Sequence, residues 1–240
     1  MKSIEGWWFG TTKKRLSWGD NRHIKIGRTH KIKGDIIPCK RGLHLSKKMI
    51  DAVNLSSGPV VYRVRGSGTI IPHGDPNDKY ACSERTYLYG GVDCSGIFDK
   101  FSRLCALDVA KSWDAPDIVI EYLKTGNKNL KQRAFNLAYD YLRKQTLWET
   151  KGHNVPLFLY EENTRCAMAI AVLVCVYASH EIFFPLMNVK HIIRPLRFLY
   201  LSKNSHYDRS NIFNPYGKDH YDKLNRRLTQ MVTKYIKKGE

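Results

Sequence analysis

Apolar positions along the first ninety or so residues come in short runs. Ile24–Ile26, Val60–Val64 and Thr86–Tyr89 are β-branched or aromatic, and turn-forming clusters at Gly19-Asp20-Asn21, Ser56–Pro59 and Pro72–Asn77 bound them. This spacing predicts strands. Between two of them, Ser46 can cap a helix that carries Met49, Ile50 and Val53 as an apolar stripe, so a short helix is expected over Ser46–Leu55. Gly90-Gly91 reads as the close of this region, with a boundary near residues 90 to 96.

Beyond that boundary the period lengthens from two to 3.6. Phe98, Phe101, Leu104, Cys105 and Val109 share one helical face that ends near Trp113. Asp114-Ala115-Pro116-Asp117 reads as a helix start, with Asp114 as the cap and Pro116 in the first turn. Ile118, Val119, Tyr122 and Leu123 supply the apolar face of that helix, and Gly126 stops it. A third helix carries Leu130, Ala134, Leu137, Ala138, Tyr141, Leu142 and Trp148. Glu161 and Glu162 suit the positive end of a fourth, whose body Ala167–Ala178 is apolar nearly all round. Tyr221, Leu224, Leu228, Met231, Val232 and Tyr235 predict an amphipathic C-terminal helix. The expected architecture is therefore α+β: a small β-rich unit with one or two helices over residues 1–95, then a helical domain over 96–240 with a basic C-terminal region.

Charge changes this ordinary picture. Forty Lys and Arg against 22 Asp and Glu leave a formal +18 in 240 residues, with a pI near 9.7. Such a surface attracts polyanions, and nucleic acid is the expected partner. Lys13, Lys14 and Arg15 precede Trp18, and Arg22, Lys25 and Arg28 alternate along the expected Ile24–Ile26 strand. Later, Arg194, Arg197, Lys203 and Arg209 are interleaved with Phe198, Tyr200, Tyr207 and Tyr216. Arg226, Arg227, Lys234, Lys237 and Lys238 line the polar side of the last helix. Cations neutralise phosphates and aromatic faces stack unpaired bases, so these residues are the candidate nucleic-acid contacts. A solvated helix face with core aromatics is the plain alternative.

The longest apolar run, Cys166 to Ser179, is 14 residues and too short to span a bilayer. Met1–Lys14 has no apolar core of a secretory signal, and the six cysteines include no CxxC pair. Reduced thiols in a cytoplasmic setting are expected, that of the host cell if the chain is phage-encoded, with no membrane partner.

Three residue sets bear on chemistry. Trp8-Phe9-Gly10-Thr11, Gly42-Leu43-His44-Leu45-Ser46, and Glu84 ahead of Tyr87, Leu88 and Tyr89 follow one another in order. Over residues 6–92 this order resembles the ADP-ribosyltransferase fold of the poly-ADP-ribose polymerases and their toxin relatives. Two signature positions depart from that family: Phe9 stands where a His grips the ribose, and His44 where a Tyr stacks on nicotinamide. The resemblance implies NAD as cofactor; the scatter of the cysteines, and not the resemblance, predicts no metal. It also implies a cleft shared by three catalytic residues: Glu84 to meet the developing cationic charge, His44 to stack, and Ser46 to bond the amide. The stretches Cys39–Ser46 and Val60–Gly68 also resemble an uncharacterised domain common in phage and prophage proteins. Two other arrangements stay open beside this one. Cys39, His44, His73 and Cys82 carry donors that suit Zn²⁺, although not the tight paired spacing of strong zinc motifs. Cys82 beside Glu84 and His44 would be a nucleophile with its base. Gly66-Ser67-Gly68 lacks the remaining residues of either common phosphate-binding loop.

The expectation is a basic, nucleic-acid-associated phage or prophage accessory protein with an ADP-ribosyltransferase-like unit acting on nucleic acid or a bound protein. A non-catalytic DNA- or RNA-binding protein, or one that blocks a host enzyme, is the alternative. A nucleobase-modifying enzyme of another chemistry is a third.

Overall fold

A computed structural model describes residues 2–17, 19–74, 77–110, 115–145 and 216–239. The chain divides into two compact units, one of residues 1–97 with 224–240 and one of residues 98–223. The sequence assigned everything after residue 95 to one helical domain; residues 224–240 belong instead with the β-rich unit.

That unit is built on an antiparallel sheet. Its strands are β1 (Ile4–Gly10), β2 (Thr29–Lys31), β3 (Leu43–Leu45), β4 (Val60–His73) and β5 (Lys79–Asp93). β1 pairs with β4 and β4 with β5, while β2 and β3 both pair with β5, at Glu84–Thr86 and at Tyr80–Cys82. The sheet then turns back on itself. Trp7 and Ser46 exchange backbone hydrogen bonds of 2.8 and 3.1 Å, which join β1 to the residue after β3. Curvature this tight leaves no room for side chains at Gly6, where a Cβ would strike the Ser46 carbonyl, or at Gly66, where it would strike Cys82 and Leu45. Leu16, Ile24, Leu43, Leu45, Val60, Tyr62, Val64, Cys82 and Tyr87 form the apolar core, with Ile4, Trp8, Ile32, Ile70 and Tyr80 packed around it.

Several local expectations change. Ile24–Ile26 is not a strand: His23 makes one bridge to Arg15, the chain turns at Gly27 (φ 80°), and pairing begins only at Thr29. Gly90-Gly91 does not end the region. β5 continues to Asp93, and Tyr62 opposes Gly90 across a bulge. Gly90 has φ 101°, and a Cβ there would lie 2.5 Å from the Val61 carbonyl oxygen, so glycine permits a register shift rather than a stop. Ser46 does not cap α1 (Met49–Asn54): the helix begins too late for it, and its backbone pairs with Trp7. Lys48 holds the cap position but its side chain does not cap the helix, and Asn225 Oδ1 accepts the Ile50 N–H from outside the helix at 3.2 Å.

Among the described residues after β5, α2 (Ser95–Ala110) buries Phe98, Phe101, Cys105 and Ala106, and α3 (Asp117–Thr125) buries Val119, Tyr122 and Leu123. α3 ends at Gly126 in the left-handed conformation (φ 68°), as the sequence predicted. Arg103 of α2 donates to Asp99 at 3.1 Å and to the Leu123 carbonyl at 3.2 Å, so a buried guanidinium satisfies the last turn of α3. α4 (Lys131–Gln145) buries Ala134 and Ala138. The expected fourth helix, with Glu161, Glu162 and Ala167–Ala178, lies outside the described residues, as do the Asp114 cap, Trp113 and Trp148. α5 (Tyr216–Gly239) buries Leu224, Leu228, Val232 and Ile236 at a spacing of four. Tyr235, expected on that face, is 42% exposed. Among the described residues no helix is long and apolar enough to cross a membrane.

Candidate functional site

β1, the Leu16–Asp20 loop, the Cys39–Ser46 segment and the turn after α1 surround a cleft of about 580 Å³. His44 and Ser46 line it; Glu84 is not among the lining residues. Glu84 instead lies between its cross-strand neighbours. Lys31 Nζ sits 2.8 Å from its carboxylate and the Ser67 hydroxyl donates to it at 3.2 Å. The Lys31 bond, with the Ser67 bond behind it, holds the Glu84 carboxyl below its ordinary range. Of the three residues expected to share a cleft, the structure therefore brings two together and leaves the carboxylate in a cross-strand ion pair.

What it adds is Arg85. The next side chain along β5 is 2% exposed and forms part of the cleft wall. Its guanidinium carbon lies 4.1 Å from the centre of the Trp8 ring and 5.2 Å from that of Tyr87. One terminal nitrogen donates to the His44 carbonyl and the other to the Tyr87 hydroxyl at 2.8 Å, while Nε has no partner among the described residues. Burial pulls its pKa down, but a guanidinium remains charged. Period-two counting carried the signal for this residue: stepping back from the inward Tyr87 puts Arg85 on the apolar face and Glu84 on the other.

The Tyr87 hydroxyl links Arg85 to a buried histidine. His30 Nε2 lies 3.1 Å from the His23 carbonyl, which can only accept, so Nε2 carries the proton in neutral His30. Nδ1 then accepts from the Tyr87 hydroxyl at 3.2 Å, and the Tyr87 oxygen accepts from Arg85. Burial, reinforced by the Arg22 cation, lowers the His30 pKa and keeps the ring neutral. His44 is lowered likewise, by burial and then by Arg85.

A pH dependence follows. Below about pH 6.5 the unfolded chain takes up protons that the folded chain refuses, so stability falls as pH drops from there through the folded pKa of His30. Urea melts at pH 7.5 and 5.0 are expected to show this loss, and His30→Gln is expected to reduce it. An unchanged slope in the variant would place its origin elsewhere.

The metal alternative is only partly assembled. Cys39 Sγ lies 3.5 Å from His73 Nε2, and His44 Nε2 accepts the Cys39 N–H at 3.2 Å. That bond occupies one of the two His44 ring nitrogens. Cys82 is in the apolar core, where burial pushes its thiol up to about 11, so it suits neither a metal nor nucleophilic attack. Among the described residues no group of three or more His, Cys, Asp or Glu is placed to hold a metal ion.

Of the expected nucleic-acid contacts, Lys13, Lys14, Arg15, Lys25 and Arg28 are exposed. Arg22 is half-buried in a bidentate pair with Asp20 at 2.5 and 2.7 Å. Arg226 is exposed and Arg227 half-buried on α5. Arg194 and Arg197 lie outside the described residues, with Phe198, Tyr200, Lys203, Tyr207 and Arg209. The whole excursion from β1 to β3 shares this character. Its further cations Lys31, Lys33, Lys40 and Arg41 are exposed too, as is Lys47 just past β3, against only Asp20 and Asp35 between residues 11 and 47. Comparison of the chain with family models, curated proteins and solved structures gave no match.

Proposed function

We propose that this chain is a nucleic-acid-binding protein of the phage or prophage accessory kind, holding phosphates through the cation-rich excursion between β1 and β3 without doing chemistry on NAD. One observation carries the reading. Within residues 11–47 only Arg22 and Lys31 form ion pairs among the described residues, which leaves Lys13, Lys14, Arg15, Lys25, Arg28, Lys33, Lys40, Arg41 and Lys47 without a carboxylate. Solubility alone does not call for so much uncompensated charge on one segment. Cations on a loop-rich surface reach phosphates independently of sequence, which suits general DNA or RNA binding. Glu84, held by Lys31 away from His44 and Ser46, favours binding over transfer. A host protein carried on the nucleic acid is compatible with this reading.

The test is charge reversal. Lys25→Glu with Arg28→Glu is expected to weaken binding of any oligonucleotide by about tenfold or more, uniformly across sequences. The exposed pair at the end of α3, Lys124→Glu with Lys128→Glu, should have a smaller effect. Equal losses in the two variants would remove the excursion from the interface. NAD consumption by the wild type that Glu84→Gln abolishes would restore the transferase reading.

A further inference from the structure

The cleft contains a cation that the surface-binding reading does not use. Arg85 is buried, its Nε is without a partner among the described residues, and no carboxylate there forms an ion pair with it. Among the described residues the one acid on the cleft wall, Asp20, is already bound at both oxygens by Arg22. Lys40, Arg41 and Lys79 line the same cleft, so its fixed charge is strongly positive. A guanidinium removed from water is unfavourable without an anion, and neutral acceptors with two aromatic rings compensate it only in part. Methionine or leucine would fill the space between Trp8 and Tyr87 without that cost. From this geometry we infer that the cleft is an anion site whose ligand is a phosphate monoester held by Arg85, with Lys40, Arg41 and Lys79 around it.

Size and burial narrow the donor. A volume of about 580 Å³ accommodates a nucleotide-sized group, not a length of duplex. An internal phosphodiester has chain on both sides, whereas a terminal phosphate has chain on one side only and so suits a narrow approach to a side chain that is 2% exposed. Assigning that phosphate to the end of a nucleic-acid strand rests on the binding reading above; the phosphate site itself does not. A free nucleoside monophosphate carries the same group.

The experiment uses the full chain and four probes: one short oligonucleotide with a 5′-phosphate, with a 3′-phosphate and with hydroxyl ends, and the free nucleoside monophosphate. One phosphorylated end is expected to bind about tenfold or more tightly than the hydroxyl form, the scale of hydrogen bonds to a charged group. Arg85→Met is expected to erase that preference and leave the hydroxyl form's affinity unchanged. Should Arg85→Met not fold, the wild type still decides: inorganic phosphate is expected to shift the Arg85 Nε–H resonance in NMR. Equal binding of all end groups, with no shift of that resonance, would overturn the site even if salt-sensitive binding to oligonucleotides persists. Binding of the monophosphate alone, sensitive to Arg85→Met, would uphold the site, identify its ligand as a free nucleotide and count against the nucleic-acid reading.

Discussion

Raising monovalent salt from 50 to 200 mM is expected to weaken nucleic-acid binding by about 10³-fold or more. The segment of residues 11–47, from the end of β1 to just past β3, presents nine cations with no carboxylate among the described residues: Lys13, Lys14, Arg15, Lys25, Arg28, Lys33, Lys40, Arg41 and Lys47. Each one that meets a phosphate releases a condensed counterion, and engagement of roughly six to ten phosphates gives a loss of about 10³ to 10⁵ over that salt range. The slope of log affinity against log salt should be about −0.9 per phosphate on duplex and about −0.7 on single strands, so the slope also estimates the number of contacts. Fluorescence anisotropy with a labelled oligonucleotide measures it directly. A flat titration would mean that the charge is not at the interface. The phosphate-end preference assigned to Arg85 should fade less with salt, because a buried cation is screened far less than an exposed one.

Leu228→Ala is expected to destabilise the folded chain by about 2–5 kcal/mol, the range for truncating a fully buried leucine. Leu228 is 0% exposed, with Leu224 and Val232 buried one turn to either side. Asn225 fastens this part of α5 to the N-terminus of α1, so the cavity opens within the β-rich unit itself. Urea unfolding should show a lower midpoint. Arg226→Glu, at an exposed position on the same helix, should leave that midpoint nearly unchanged. A silent Leu228→Ala would mean that the helix contributes nothing to the stability of that unit.

Some of this structure was legible along the chain, because its determinants are local. The change of apolar period separates the β-rich region from the helices. Gly126 stops α3 because it adopts φ 68° where a side chain would be strained, and a sequence displays that directly. Leu224, Leu228 and Val232 declare the buried face of α5 by spacing alone, although Ile236 and not Tyr235 completes it. The excess of cations is likewise a property of composition.

The site was decided by pairing between distant residues. Glu84 reads as a free carboxylate until register places it between Lys31 and Ser67. Arg85 reads as one polar residue in Ser83-Glu84-Arg85-Thr86. It becomes a buried cation because β5 turns it toward Trp8, which β1 delivers from the far side of β4. Ser46 looked like a helix cap, yet the closing contact with Trp7 takes its backbone. The sequence by itself determined the periods, the helix stop and the charge, all set within a few residues. Tertiary structure alone decided which charges are neutralised and which is buried, because that depends on cross-strand register and on where a curled sheet excludes water.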